Sequence, residues 1–205
     1  MAELNLELNT DRVIGIFAPQ KYGKSVLTHY FLEVYLKHIP AFLYDTDKEY
    51  FKSYYDLHGL KTIMPKSKNL ESEADFNKLL LSFRAKFSNT LLAVEDIDKI
   101  FQSARRTKIN NETYKFASDS RHSRIAFVYN TKTPSYIPTT LRLNTNLFLF
   151  GRFVEPLAVH YITAIIPKEV YNQIKKPEFV LYDVWRNEYN IIQYNMNKNI
   201  IEVIK

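Results

Sequence analysis

The chain has 205 residues, a formal net charge of +6 and no cysteine. The length predicts a single domain over residues 1–205 with a core of its own, and the lack of cysteine excludes disulfides and thiolate metal sites. The start MAELNLELNTD lacks the basic and apolar parts of a signal peptide, and no later apolar run is long enough to cross a bilayer, so we expect a soluble protein that is not secreted. The histidines have no ligand-like spacing, so no structural metal is expected.

Apolar runs of strand length alternate along the chain with longer helical patterns, which is typical of an α/β fold with a mostly parallel central sheet flanked by helices. The expected buried strands cover residues 12–18, 41–45, 90–94, 124–130 and 146–150. The expected helices cover residues 24–37, 47–57, 71–86, 110–120 and 155–165. Near the end of the chain, FVLYDVWRNEYNIIQY has two β-rich segments around RNE, which predicts an antiparallel hairpin added at an edge of the sheet.

The stretch APQKYGKS joins the first expected strand to the first expected helix and matches the P-loop (Walker A) pattern, with Ala18 in place of the first glycine. Gly23 would let the backbone pass close to phosphates, and Lys24 would neutralise the β- and γ-phosphates. Ser25 would ligate Mg²⁺, so the expected ligands are ATP and Mg²⁺. The residues expected to contact the nucleotide are Ala18, Pro19, Gln20, Lys21, Tyr22, Gly23, Lys24, Ser25 and Val26.

A P-loop works with a carboxylate at the end of a neighbouring strand, and TLLAVEDID supplies the Walker B element. We expect Glu95 to take the magnesium position and Asp96 to activate the attacking water. Asn130 ends the next expected strand, where its amide either senses the γ-phosphate and positions the water or merely begins a turn.

Basic residues outnumber acidic ones between Lys99 and Arg124. This segment is either a solvated surface or a nucleic-acid contact, and the net positive charge of the chain favours an anionic partner. Its basic members are Lys99, Arg105, Arg106, Lys108, Lys115, Arg121 and Arg124.

With these motifs the chain resembles the FtsK/HerA superfamily of ring-forming DNA-pumping ATPases. Within it, the chain is most similar to the genome-packaging ATPases of membrane-containing icosahedral viruses, those of turreted archaeal viruses in particular. The resemblance covers roughly residues 12–151, through APQKYGKS, FLYDTDKEY, LLAVED, SRHSRIAFVYNTKTPS and IPTTLRLNTNLFLFG. The chain departs from the family pattern at Ala18 for glycine, at Glu95-Asp96 for Asp-Glu, and at Asn130 for the usual glutamine.

The resemblance implies a RecA-like P-loop NTPase core that forms a homo-oligomeric ring, binds ATP between subunits and moves double-stranded DNA into a preformed capsid. It implies host cytoplasm or virion as the location, and capsid or internal membrane proteins of a virion as further partners. It also places Asn130 at the family's polar amide and Arg121 at the arginine presented to the neighbouring subunit's nucleotide, with Arg142 as the alternative. The residues alone support nucleotide hydrolysis by a basic domain. A P-loop kinase acting on a nucleoside or other small molecule, and a nucleotide-switched binding module, stay open as alternatives.

Overall fold

The structure is a computed structural model that describes residues 2–3, 9–46, 57–63, 73–101, 115–116, 118–119 and 122–204. Its strands are β1 (Ala2–Glu3), β2 (Val13–Phe17), β3 (Ala41–Tyr44), β4 (Lys61–Ile63), β5 (Thr90–Val94), β6 (Ile125–Thr131), β7 (Leu147–Phe150), β8 (Phe179–Asp183), β9 (Glu188–Asn195) and β10 (Ile200–Val203). Its helices are α1 (Lys24–Leu36), α2 (Glu73–Lys86), α3 (Thr139–Asn144), α4 (Pro156–Thr163) and α5 (Lys168–Tyr171). Short 3₁₀ turns cover Ile97–Lys99 and Pro134–Tyr136.

These strands form one mixed sheet in the order β1-β10-β9-β8-β7-β2-β6-β5-β3-β4. The strands from β7 to β4 pair in parallel, so their carboxyl ends meet at one edge of the sheet. The strands β8, β9, β10 and β1 pair antiparallel beyond β7. The strand that precedes the P-loop, β2, lies between β6 and β7.

The parallel strands β2, β3, β5, β6 and β7 are buried on both faces, and β2 shows why its sequence is apolar throughout. Successive side chains of a strand point to opposite faces. Ile14 and Ile16 accordingly join one apolar cluster, which includes Phe31 of α1, while Val13 and Phe17 join a second cluster on the other face. Burial on two sides explains the continuous apolar runs in the parallel strands.

The expected α/β fold is confirmed: all five expected strands lie within one residue of β2, β3, β5, β6 and β7. Three expected helices correspond to α1, α2 and α4, and the hairpin corresponds to β8 and β9. The hairpin adds to the edge of the parallel part, and β10 and β1 extend the sheet further. Almost all of the expected helix 47–57 lies outside the described residues, and the described residues within 110–120 are helical. That one domain spans the whole chain stays a prediction.

No helix in the described part of the chain is long and apolar enough to cross a membrane.

Candidate active site

The P-loop runs from the end of β2 to the start of α1, at the carboxyl edge of the parallel strands. Gly23 caps α1 with φ 103° and ψ 15°, a left-handed conformation that glycine adopts without the strain imposed by a Cβ. Gly23 has no side chain to accept from the first-turn amides, and the first turn contains no acidic residue. The amino end of this helix therefore suits an anion such as a phosphate.

Ala18 stands where P-loops usually begin with glycine, and the structure accommodates it. Its side chain is fully buried and its N–H donates to the carbonyl of Thr131 at 3.2 Å. Its φ is not positive, so the Cβ causes no backbone strain. The neighbouring segment makes room for this Cβ, because a Cβ built on Gly151 would lie 2.7 Å from that of Ala18.

The side chain of Tyr22 packs against the antiparallel part of the sheet. Its ring is buried edge-on against Phe179 of β8, and its hydroxyl donates to the carbonyl of Glu178 at 3.1 Å. Burial raises the pKa of this hydroxyl above its ordinary value. Tyr22 thus packs the P-loop against the antiparallel part of the sheet. Because its side chain is buried there, a nucleotide would contact Tyr22 through its backbone.

Lys24 is a buried cation at the start of α1. Its Nζ donates to the carbonyl of Pro19 at 3.2 Å. Burial lowers the pKa of Lys24, the charge of Lys132 acts in the same direction, and the carboxylates of Asp96 and Glu95 oppose both. Because a buried ammonium group is costly beside a neutral carbonyl, an anion bound here would stabilise it.

Glu95 follows the last residue of β5 and is 1% exposed. The Ser25 hydroxyl donates to its Oε2 at 3.3 Å, so a hydroxyl and a carboxylate meet at the amino end of α1. Hard oxygen ligands of this kind suit Mg²⁺, which usually keeps waters and binds through one or two protein groups together with substrate phosphates. The described residues contain no group of three or more His, Cys, Asp or Glu that could hold a metal by themselves.

Asp96 begins the turn after β5 with φ 42° and ψ 52°, a left-handed conformation. This turn ends the strand alternation, so the side chains of Glu95 and Asp96 need not point to opposite faces. The Oδ2 of Asp96 lies 3.3 Å from the Nζ of Lys99, and its N–H donates to Oδ1 of Asn130 at 2.8 Å.

Asp98 lies in the same turn and is buried. Burial raises its pKa most, and the charge of Asp96 adds to the effect. The hydroxyls of Thr133 and Thr131 donate to its side chain and oppose this shift, and its Oδ1 has no hydrogen-bond partner among the residues that the structure describes.

The two candidate arginines differ in what the structure records. Arg121 lies outside the described residues, as do Arg105, Arg106 and Lys108 of the basic segment. Arg142 lies on α3, where it donates to the Thr139 hydroxyl at 3.1 Å and stacks 4.5 Å from the centre of the Tyr161 ring.

The structure thus brings Lys24, Ser25, Glu95, Asp96 and Asn130 together at one edge of the sheet, as the motifs predicted. Their chemical roles stay predictions. Sequence reasoning missed Thr28, Asp98 and Gly151, which contact this group or the P-loop. Thr28 carried one signal, its position four residues after Lys24, where a helical threonine can reach back to that carbonyl.

No family model matches the sequence, and no curated protein matches it either. Solved structures do. The chain is similar to the genome packaging NTPase B204 from Sulfolobus turreted icosahedral virus 2 in complex with ATP-gammaS, with a TM-score of 0.74, 20% identity, and coverage of 90% of this chain and 98% of that one. It is equally similar to B204, the DNA-packaging ATPase from Sulfolobus turreted icosahedral virus, with a TM-score of 0.74, 21% identity, and coverage of 90% and 98%.

A third similar structure is EssC (ATPases 2 and 3) from Geobacillus thermodenitrificans, with a TM-score of 0.65, 13% identity, and coverage of 94% of this chain and 39% of that one. At these identities the likeness shows a shared fold. It is the RecA-like fold that the resemblance to FtsK/HerA ATPases implied.

Proposed function

We propose that this chain binds ATP with Mg²⁺ at the P-loop and hydrolyses it. The observation that carries the proposal is the contact between Ser25 and Glu95, which joins the start of α1 to the end of β5 beside the buried cation of Lys24. Lys24 and Ser25 follow the loop directly and Glu95 contacts Ser25, so the three side chains lie together at the start of α1. The similar fold of proteins named as ATPases supports the same activity.

In this reaction a water attacks the γ-phosphorus in line, and the bond from that phosphorus to the bridging oxygen of ADP breaks. Mg²⁺ held by Ser25 and Glu95 would neutralise charge on the phosphate oxygens. Lys24 stabilises the negative charge that develops in transfer, and the loop amides hold the phosphates in the ground state. Asp96 orients the water and accepts its proton, which then passes to solvent as phosphate leaves.

We further propose that hydrolysis drives the movement of double-stranded DNA, in a homo-oligomeric ring that packages a viral genome into a preformed capsid. The net charge of +6 and the basic residues between Lys99 and Arg124 support an anionic track, since phosphate contacts are independent of DNA sequence. The packaging proteins of similar fold support the same role. The proposed location is the host cytoplasm or the virion, with capsid or internal membrane proteins as docking partners.

The test is product analysis with the purified protein, with and without duplex DNA. We expect free phosphate, released faster when DNA is present. Lys24→Ala should abolish release, whereas Glu95→Gln and Asp96→Asn should cripple it and leave more of the nucleotide binding intact. Lys168→Ala, at an exposed lysine of α5, is the matched control and should behave as the unaltered protein.

Two other products would contradict the proposal. A phosphorylated nucleoside or other small acceptor would identify a kinase, and ATP that stays bound without turnover would identify a nucleotide-switched module. Near-normal turnover in Lys24→Ala, Glu95→Gln and Asp96→Asn would show that the active site lies elsewhere.

A further inference from the structure

Asn130 is a fully buried carboxamide at the end of β6, and hydrogen bonds occupy its nitrogen and its oxygen. Its Oδ1 accepts from the backbone N–H of Asp96 at 2.8 Å. Its Nδ2 donates to Oγ1 of Thr28 at 2.9 Å and to Oε2 of Glu95. A carboxamide has two N–H hydrogens, so both are committed within the protein.

Thr28 fixes the orientation of this amide. It is fully buried on α1, one turn after Lys24, and its hydroxyl donates to the Lys24 carbonyl at 3.2 Å. Because that hydroxyl has a single hydrogen, it can only accept from Asn130, which must turn its nitrogen toward Thr28. The oxygen of Asn130 then faces the N–H of Asp96, as the turn after β5 requires.

The result is a continuous chain of hydrogen bonds from α1 through β6 to the acidic turn. It starts at the carbonyl of Lys24 and ends at Glu95 and Asp96. Glu95 gains from it a donor that is independent of Ser25, so its carboxylate would keep a partner if the Ser25 hydroxyl turned toward a bound metal.

We propose that Thr28 and Asn130 are positioning residues, which hold Glu95 and Asp96 in place against the helix that carries Lys24 and Ser25. Asn130 acts by holding the Glu95 carboxylate and the backbone of Asp96, and other groups contact the γ-phosphate. Thr28 acts through Asn130. The inference deepens the proposed ATP hydrolysis and rests on it.

The kinetic test compares two substitutions that differ in one hydroxyl. Thr28→Val keeps the shape of the side chain and removes the hydroxyl, whereas Thr28→Ser keeps the hydroxyl. Losing a supporting partner of a metal site typically costs about 10- to 100-fold in activity. We therefore expect kcat to fall about 10- to 100-fold in Thr28→Val, with nucleotide affinity nearly unchanged and with Thr28→Ser close to the unaltered protein.

Thr163 offers a matched control on α4. Its hydroxyl makes the same kind of bond to the carbonyl four residues back, Val159, at 2.9 Å. Thr163→Val should leave kcat unchanged, which separates a general loss of helix stability from loss of the bond to Asn130. Normal turnover in Thr28→Val, or equal losses in Thr28→Val and Thr28→Ser, would overturn the inference.

A second readout does not depend on turnover. In isotope-labelled protein, the side-chain amide of Asn130 should exchange its hydrogens slowly with water, and Thr28→Val should speed this exchange by about tenfold or more because one N–H loses its acceptor. Thr28→Ser should not. The same exchange rate in Thr28→Val and in the unaltered protein would refute the positioning role of Thr28 and Asn130. Exchange as expected in a protein that never releases phosphate would refute the proposed hydrolysis alone.

Discussion

Arg12 and Asp183 lie 171 positions apart in the sequence and form a buried two-pronged ion pair, with N–O distances of 3.1 and 3.0 Å. Both side chains are less than one-tenth exposed, and the guanidinium also stacks 4.0 Å from the ring of Trp185. The pair joins the residue before β2 to the last residue of β8, so it ties the parallel part of the sheet to the antiparallel part across β7.

The first prediction concerns this pair. Asp183→Asn leaves the buried guanidinium without its counter-charge, which typically costs about 3–5 kcal/mol in the free energy of unfolding. Denaturant unfolding measures the loss. The exposed pair of Lys78 and Asp75 is the control, because Asp75→Asn there should cost less than about 1 kcal/mol. Equal effects of the two substitutions would show that the buried pair does not hold the two parts together.

Gly151→Ala should weaken both the fold and the nucleotide site. The new methyl group would lie 2.7 Å from Cβ of Ala18 and 2.8 Å from the Tyr22 ring, so the P-loop must shift. Overpacking of this kind costs about 1–3 kcal/mol, and we expect the KM for ATP to rise. Adding Ala18→Gly should recover part of both losses, because it removes one of the two contacts. Independent, additive effects in the double variant would disprove direct packing between these positions.

The free energy of unfolding should depend on pH because the pKa of Asp98 is raised in the folded chain. Burial and the charge of Asp96 raise this pKa above its ordinary value of 3.8, so the folded chain binds the proton more tightly than the unfolded chain. The carboxyl group therefore contributes stability that is lost as pH rises from that value through the folded pKa. Asp98→Asn removes this dependence, so its unfolding free energy relative to the unaltered protein should be higher at about pH 7 than at about pH 4. The same difference between Asp98→Asn and the unaltered protein at both pH values would contradict the assignment.

Duplex DNA affinity should be independent of sequence and should fall steeply with salt if the basic segment follows the DNA backbone. Each phosphate contact adds about 0.9 to the slope of log affinity against log salt, so Arg105→Ala with Arg106→Ala should reduce the slope by about 2. Lys175→Ala with Lys176→Ala removes the same charge from two exposed lysines and is the matched control. Equal slopes in the two double variants would place the DNA contact elsewhere.

Arg121, if it is supplied by a neighbouring subunit, should complement a defective P-loop. Such an arginine gains on the order of 10³ to 10⁵ in rate by neutralising charge in the transition state. Lys24→Ala and Arg121→Ala should each be inactive alone, and their mixture should regain ATPase activity at interfaces that pair an intact loop with an intact arginine. If the two variants co-assemble without activity, Arg121 is excluded and Arg142→Ala becomes the next variant to mix.

The sequence predicted five of the six parallel strands because each of these is a run of four to seven mostly apolar residues, such as TLLAV, that is buried throughout. It missed β4, β10 and α3, and for β4 and α3 the reason is physical. The three residues of β4 are half-exposed or exposed at an edge, and the six residues of α3 are too few to show a helical period. These elements depend on the neighbours they pair with or pack against.

The site divides in the same way. The P-loop and the acidic pair follow from spacing, because phosphate and metal binding require particular residue types at fixed intervals. The bond from Asn130 to Thr28 joins residues 102 positions apart, and the hydrogen bonds to Asp98 come from Thr131 at the end of β6 and from Thr133 just after it. No local pattern specifies such contacts, so they emerge only from the folded chain.

The central position of β2 in the sheet affects how often its backbone amides are exposed to solvent. Its backbone is bonded to β6 on one side and β7 on the other, whereas among the strands that the structure describes β4 and β1 each pair on a single side. Amides in such a central strand exchange with solvent only in rare, large openings, while edge strands fray in frequent small ones. The loop that begins at Ala18 is therefore attached to a central strand whose amides should exchange slowly, and transient loss of either sheet edge should leave this attachment intact.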